Sequence, residues 1–143
     1  MDATVHTPAL RTVTIRSLNA RYNGALVPTP TYAAETRAPD GACPWQRLVM
    51  ERVASAPSER TWALRSCHGA LLAALPDGTV EWNRPSASAQ TRWTEVAPAV
   101  GEGTLLRGPY GRFLRLNGEL DGSVDAGGAE GDEGTVLALE VRD

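Results

Sequence analysis

The side chains of this sequence best suited to chemistry are concentrated between positions 64 and 84. Cys67 and His68 are adjacent in the segment LRSCHGALLAALPDGTVEW, residues 64–82. A thiol in hydrogen-bond contact with an imidazole forms the nucleophile and general base of many covalent mechanisms. The pair therefore raises the hypothesis of a cysteine nucleophile.

The adjacency of the two residues argues against that chemistry. Neighbouring side chains on an extended strand point to opposite faces, so His68 is poorly placed to act as a base for Cys67. A reactive cysteine also needs a helix N-terminus or a nearby cation, and the one sequence neighbour of this kind is Arg65. We interpret Cys67 and His68 as turn residues.

A second candidate group follows immediately, in Glu81, Trp82, Asn83 and Arg84. Carbohydrate sites combine an aromatic platform with carboxylate, amide and guanidinium groups that hydrogen-bond to hydroxyls. These four residues predict a ligand-binding site if Trp82 is exposed. The alternative is that Trp82 packs against a neighbour in its own hairpin.

The composition restricts the possible functions. The chain has 143 residues, a net charge of −3 and 14 basic side chains, all of them arginine, so we expect neither nucleic acid nor a membrane surface as partner. Two histidines and the lack of a metal or catalytic signature motif predict no metal and no cofactor. The absence of a signal-like or membrane-spanning run predicts a soluble, cytoplasmic protein.

The elements that carry these residues recur along the chain. Three segments share one pattern, an apolar residue, an arginine, turn residues and an apolar pair: residues 13–27, 62–75 and 104–118. Arg16, Arg65 and Arg107 align the three copies at spacings of 49 and 42 residues, which gives a repeat of about 45 residues.

Each copy contains four short alternating segments bounded by Gly, Pro, Asp and Asn, and Asp-Gly pairs at residues 40–41, 77–78 and 121–122 indicate turns. Twelve such strands predict an all-β fold, a β-trefoil with pseudo-threefold symmetry. We expect an N-terminal tail over residues 1–11 and one domain over 12–143, with repeats at about 12–53, 61–100 and 103–142.

The aligned apolar positions predict the core of this domain. They are Ile15, Leu64, Leu106, Tyr22, Leu71, Phe113, Trp45, Trp93 and Leu137. In the third strand of each copy, Ala33, Val80 and Val124 are expected on one face. The same alignment places Trp82 opposite Glu35 and Ala126 and so outside the repeated core.

The segments RSCHGALLAALPDGTVEWN with RWTEV, and LRGPYGRFLRLNG with DGSV, resemble the repeats of fascin-like β-trefoils, the actin-crosslinking superfamily. The first copy is similar more loosely. This resemblance implies a β-trefoil fold, and it rests on turn and core positions that carry little chemistry. The family includes actin bundlers and bacterial single domains described as carbohydrate-binding, whereas the QxW signature of ricin-type lectins is absent here.

The leading expectation is a non-catalytic module that binds a glycan, a small molecule or a protein. The alternative is a small cofactor-free enzyme or cyclase of specialised metabolism, with Glu81, His68, Cys67 and Tyr110 as candidate catalytic residues. Actin or filament binding is a third possibility. A deep apolar pocket with a buried carboxylate or histidine favours the enzyme, and a shallow patch centred on Trp82 favours the binding module.

Overall fold

The computed structural model describes residues 10–18, 24–29, 33–37, 44–53, 60–99, 101–117, 123–129, 132 and 134–141. Regular structure in this part of the chain is β-strand, apart from two short 3-10 turns at Pro44–Gln46 and Ala89–Thr91. None of the helical turns in these residues is long and apolar enough to cross a membrane. The strands are β1 (Leu10–Ser17), β2 (Ala25–Pro28), β3 (Ala34–Arg37), β4 (Leu48–Arg52), β5 (Thr61–Arg65), β6 (Leu71–Ala74), β7 (Val80–Arg84), β8 (Trp93–Val96), β9 (Leu105–Arg107), β10 (Phe113–Leu116), β11 (Val124–Gly128) and β12 (Leu137–Val141).

The all-β prediction is therefore confirmed. Of the three predicted Asp-Gly turns, the one at residues 77–78 lies among the described residues. Gly78 has a φ of +93°, a conformation that glycine adopts without a steric penalty. Asp77 Oδ1 accepts hydrogen bonds from the Thr79 amide at 3.0 Å and the Thr79 hydroxyl at 2.7 Å. These bonds lower the pKa of Asp77. The Asp-Gly pairs at residues 40–41 and 121–122 lie outside the described residues.

Antiparallel pairing joins six of the strands in one row, in the order β12, β1, β4, β5, β8 and β9. At the far end, Thr104 and Leu137 form an isolated bridge with N–H···O distances of 2.9 and 2.8 Å. Pairing begins at Leu10, opposite Glu51, two residues before the expected start of the first repeat. This bridge places the residue that precedes β9 beside the first residue of β12.

The other six strands form three hairpins, β2–β3, β6–β7 and β10–β11. Isolated bridges join Ala33 to Glu81 and Glu35 to Ser123. The third contact is a hydrogen bond of 2.7 Å from the Ala126 amide to the Gly78 carbonyl. Each hairpin therefore contacts the other two.

Most of the predicted core is confirmed. The buried positions among those expected are Ile15, Leu64, Leu106, Leu71, Phe113, Trp93 and Leu137. The prediction for Trp45 is wrong, because this side chain is 38% exposed and lies in the 3-10 turn before β4. Leu48, the first residue of β4, is fully buried instead.

Tyr22, also expected in the core, lies outside the described residues. Strand register pairs Arg16 with Ala25, just as it pairs Arg65 with Leu71. Ala25 therefore takes the buried position that the sequence alignment gave to Tyr22. The connection after β1 is longer than its counterpart after β5, so equal spacing from the arginine was misleading.

The third strand of the first copy is shifted by one residue relative to the prediction. Ala33 is exposed and Ala34 is buried, in line with the buried Val80 and Val124. Two residues further along, Thr36, Trp82 and Ala126 are buried as well. The position of Trp82 is thus a core position in all three hairpins, contrary to the expectation.

Gly103 provides a test of how tightly β9 approaches β12. Its φ is +101°, and an added Cβ would lie 2.6 Å from Leu18 Cδ1 and 2.7 Å from Val136 Cγ1. We expect Gly103→Ala to lower the free energy of unfolding by about 2 to 3 kcal/mol, from backbone strain and overpacking together. Gly101→Ala is the matched control, because Gly101 has a φ of +85° with open space around it. Urea denaturation of both variants checks this, and equal losses would show that the contact adds nothing to the strain.

Candidate functional site

A cavity of about 290 Å³ opens between the β5–β6 turn and strand β7 on one side, and the 3-10 turn before β4 and the end of β2 on the other. We call it the indole cavity. Its lining residues are Pro28, Thr29, Trp45, Ser66, His68, Ala70 and Trp82. Pockets for drug-sized ligands measure roughly 300 to 1,000 Å³, so this volume suits a ligand part no larger than about one sugar ring.

Trp82 is the buried wall of this cavity. It is 1% exposed, belongs to the hydrophobic core and pairs across the hairpin with Leu72. Its Nε1–H is buried and has no hydrogen-bond partner among the described residues. The exposed aromatic platform considered from the sequence is therefore not formed by Trp82, and the alternative of packing within the hairpin holds.

The other two buried indoles, in contrast, have hydrogen-bond partners. Trp62 Nε1 donates to Glu95 Oε1 at 2.6 Å, and Trp93 Nε1 donates to the Leu72 carbonyl at 3.1 Å. Buried donors are nearly always paired, and an unpaired one costs about 1 to 3 kcal/mol.

Trp45 and His68 form the opposite, exposed wall of the indole cavity. Their ring centroids lie 5.1 Å apart at an interplanar angle of 79°, an edge-to-face contact. Trp45 comes from the 3-10 turn before β4 and His68 from the β5–β6 turn. An aromatic face is therefore accessible at the cavity, and Trp45 provides it.

The turn that carries His68 is held by several hydrogen bonds. The Ser66 amide donates to the Ala70 carbonyl at 2.8 Å, and the His68 amide donates to Ser66 Oγ at 3.2 Å. Arg65 Nη1 donates to the Gly69 carbonyl at 2.6 Å. Cys67 and His68 thus occupy a turn, as the repeat pattern predicted.

Arg65 also connects this turn to the neighbouring strand. Its Nη2 donates to Glu51 Oε1 at 3.0 Å, and the bond to the carboxylate raises the pKa of the guanidinium. One side chain therefore fixes both the sheet and the turn, which keeps His68 beside the indole cavity.

A shallow groove of about 350 Å³ adjoins the indole cavity and is lined by His68, Gly69, Ala70, Asn83 and Pro85. His68 and Ala70 line both concavities. Asn83 reaches the groove through a bulge, because Leu71 pairs with Arg84 while Leu72 pairs with Trp82. The extra residue in β7 is the kind of irregularity that redirects a side chain beside a site.

Behind Asn83 the predicted polar residues form one hydrogen-bond network. Asn83 Nδ2 donates to Glu81 Oε1 at 2.9 Å, and Arg84 Nη1 donates to Asn83 Oδ1 at 2.8 Å. Arg84 Nη2 donates to Gln90 Oε1 at 3.2 Å, and Gln90 Nε2 donates to the Tyr110 hydroxyl at 3.4 Å. Asn83 is thus oriented by its neighbours, at the edge of a polar surface.

The structure separates the predicted site residues into three locations. Trp82 lines the indole cavity, Asn83 lines the groove, and Glu81 and Arg84 support Asn83 without lining either concavity. Of the four candidate catalytic residues, His68 alone lines the indole cavity, which has no acidic side chain among its described lining residues. Cys67 is exposed, and Glu81 and Tyr110 belong to the polar network.

The sequence reasoning missed Trp45, Thr29, Ser66, Pro28 and Ala70 as lining residues. For Trp45 a signal was present, since Pro44 directly precedes it and proline is confined to edges and starts of strands. A turn was therefore the better prediction there. Thr29 and Ser66 carry no comparable signal.

No protein-family model matches the chain, and no curated protein matches its sequence. The antiparallel all-strand fold is compatible with the resemblance to fascin-like repeats, and no family match supports that resemblance.

Proposed function

We propose that this chain is a β-trefoil that binds a small ligand in the indole cavity without transforming it. The observation that carries the function is the indole cavity, whose described lining joins the accessible ring of Trp45 to the polar groups of Thr29, Ser66 and His68. The fold assignment and the binding role rest on different observations, and each can fail without the other.

The register of the strands supports the trefoil. The residue three positions before each aligned arginine pairs with the first residue of the fourth strand in its own copy, in the pairs Val13–Leu48, Trp62–Trp93 and Thr104–Leu137. Each arginine in turn pairs with the second residue of a fourth strand: Arg16 with Ala138, Arg65 with Val49 and Arg107 with Thr94. The same register at three places is expected of a six-stranded barrel with a threefold axis, capped by three hairpins.

The chemistry of the lining favours binding over catalysis. Trp45, Pro28 and Ala70 offer apolar contact, while Thr29, Ser66 and His68 offer a few polar groups. Such a combination fixes the orientation of a ligand. Among the titratable groups that serve acid–base catalysis, the described lining holds His68 by itself, without a carboxylate or a second base.

The nature of the cavity also orders the possible ligands. A cationic ligand is disfavoured, because no acidic side chain is among the described residues of the lining. A concave cavity of about 290 Å³ suits a small ligand better than a flat protein or filament surface. A small neutral ligand with an apolar face and a few polar groups matches this lining, and a sugar residue has both.

The Trp82 indole N–H gives a direct test. The chain has four tryptophans, so four indole signals are expected in a ¹⁵N–¹H correlation spectrum. Among glycans and small neutral metabolites, a true ligand shifts the signals of Trp82 and Trp45 and raises Tm. The signals of Trp62 and Trp93, whose N–H groups are already paired, serve as internal controls.

Trp45→Ala removes the accessible aromatic ring of the cavity. We expect this variant to bind the ligand about tenfold more weakly, because the contact between that ring and the ligand is lost. Titration calorimetry on the folded variant measures the loss. Ligands that stabilise the protein while leaving the Trp82 signal in place would contradict the proposal.

A further inference from the structure

The groove and the indole cavity are two parts of one concave surface. His68 and Ala70 line both of them, and both residues come from the segment that joins β5 to β6. A molecule in the indole cavity beside His68 is therefore adjacent to the groove. The groove, at about 350 Å³, has room for a second unit of similar size.

Asn83 supplies the polar side chain of the groove. It lies on the same face of β7 as Glu81, opposite the buried Trp82, because its Nδ2 donates to Glu81 Oε1 at 2.9 Å. Arg84 Nη1 donates to Asn83 Oδ1 at 2.8 Å. A carboxamide has two hydrogens and two lone pairs, so these bonds fix the Asn83 amide and leave one hydrogen and one lone pair for a ligand.

The second asparagine among the described residues has a different arrangement. Asn117 Nδ2 donates to Ser123 Oγ at 3.1 Å and to Asp125 Oδ2 at 3.2 Å, so both amide hydrogens are used within the protein. Asn117 is not among the lining residues of the indole cavity or of the groove. Of these two amides, the one with a remaining hydrogen is therefore the one at the groove.

The lining of the two concavities restricts the class of ligand. Among the described residues it contains no acidic side chain and no arginine, and its polar side chains are Thr29, Ser66, His68 and Asn83. Hydroxyl, neutral imidazole and amide groups both donate and accept hydrogen bonds, as sugar hydroxyls do. The accessible ring of Trp45 adds an apolar surface for one face of a sugar. A neutral polyhydroxylated ligand therefore matches both concavities.

A peptide matches the groove less well. Extended peptides bind along a strand edge through backbone hydrogen bonds. Pro85 lines the groove directly after β7 and has no backbone N–H to donate. The side chain of Asn83, rather than a row of backbone groups, is what the groove offers to a ligand.

We propose that the indole cavity and the groove form one binding site with two compartments, and that its ligand is a neutral oligosaccharide of at least two residues. One sugar lies in the indole cavity against Trp45. The next lies in the groove, where Asn83 donates to one hydroxyl and accepts from another. This inference rests on the proposed binding function and specifies its ligand class.

Four pairs of sugars test the proposal with the intact chain: glucose and cellobiose, mannose and β-1,4-mannobiose, galactose and β-1,4-galactobiose, and xylose and xylobiose. We expect at least one disaccharide to shift the Trp45 indole and Asn83 amide signals together in a ¹⁵N–¹H correlation spectrum. It should bind about tenfold more tightly than its monosaccharide, because hydrogen bonds in the groove are added. A disaccharide that shifts Trp45 alone and binds no more tightly would overturn the second compartment.

Asn83→Ala tests the role of the groove. We expect this variant to lose most of the advantage of the disaccharide while it keeps the affinity for the monosaccharide. Asn117→Ala is the matched control, since Asn117 donates to the Asp125 carboxylate as Asn83 donates to Glu81 and should keep the advantage. An advantage that survives in Asn83→Ala, or that both variants lose equally, would overturn the role of Asn83.

The outcomes separate this inference from the proposed function. If all eight sugars leave the Trp45 and Asn83 signals in place while a mixture of random tripeptides or a small neutral metabolite moves the Trp45 signal, the ligand class is wrong and the binding function stands. If nothing in this wider panel moves the signals of Trp45 or Trp82, both fail.

Discussion

Trp93→Ala is expected to lower the free energy of unfolding by about 3 to 5 kcal/mol, the range for removing a buried tryptophan side chain. Trp93 is fully buried between strands, opposite Trp62. Its Nε1 donates to the Leu72 carbonyl, so the variant also loses a buried hydrogen bond. Domains of this size are stabilised by about 5 to 15 kcal/mol in total, and the urea midpoint should fall steeply.

Trp45→Ala is the matched control, since sequence alignment places Trp45 and Trp93 at equivalent positions. Trp45 is 38% exposed and sits in a turn, so its loss should cost about 1 kcal/mol or less. Far-UV circular dichroism in urea measures both variants without relying on tryptophan fluorescence. Equal losses would mean that both indoles lie in the core.

Glu95→Ala is expected to lower the free energy of unfolding by about 2 to 3 kcal/mol, because it leaves the buried Trp62 N–H without an acceptor and removes the carboxylate that pairs with Arg11. The Glu95 side chain is 10% exposed and accepts from Trp62 Nε1 at 2.6 Å and from Arg11 Nη2 at 3.5 Å. The Arg11 guanidinium also lies 4.8 Å from the centroid of the Trp62 ring. Removing the carboxylate thus affects an indole and a cation at once.

Two further variants make the Glu95 result specific. Glu140 pairs with Arg16 at 3.0 Å on an accessible surface, so Glu140→Ala should cost less than about 1 kcal/mol. Glu95→Gln keeps an acceptor for Trp62 and should lie between the two. Chemical denaturation ranks the three, and a cost for Glu95→Ala no greater than that for Glu140→Ala would show that the contacts around Trp62 contribute little.

The all-strand class could be predicted from this sequence because apolar alternation and turn residues recur in three copies. Ile15, Leu64 and Leu106 precede equivalent arginines, and all three are fully buried. This part of the prediction needs no knowledge of turn length, because each residue is adjacent to its anchor on the same strand. Local alternation determines which face such a residue takes.

Positions across a turn could not be predicted in the same way. The chain takes nine residues from Arg16 to Ala25 but six from Arg65 to Leu71, and sequence alone does not locate the extra three. Tyr22 lies six residues after Arg16 and is aromatic, so the sequence made it the apparent equivalent of Leu71. For the same reason, the prediction placed Trp45 in the core where Leu48 is buried, and Ala33 where Ala34 is buried.

The candidate site was predictable in its residue types but not in its arrangement. Trp82 and Asn83 are adjacent in sequence and line different concavities, because a bulge interrupts the pairing of β7. Trp45 and His68 come from distant segments and meet edge to face. Neither the bulge nor the contact between Trp45 and His68 can be predicted from the spacing of residues along the chain.

Trp82 occupies a buried position whose counterparts in the other two hairpins are Thr36 and Ala126. An indole that lines a cavity is therefore present at one of these three positions. Under the proposed function one copy of the module has one ligand site, so a single copy would hold a multivalent ligand without bridging two of them. Agglutination or bundling through this site would require the chain to be present in more than one copy per assembly.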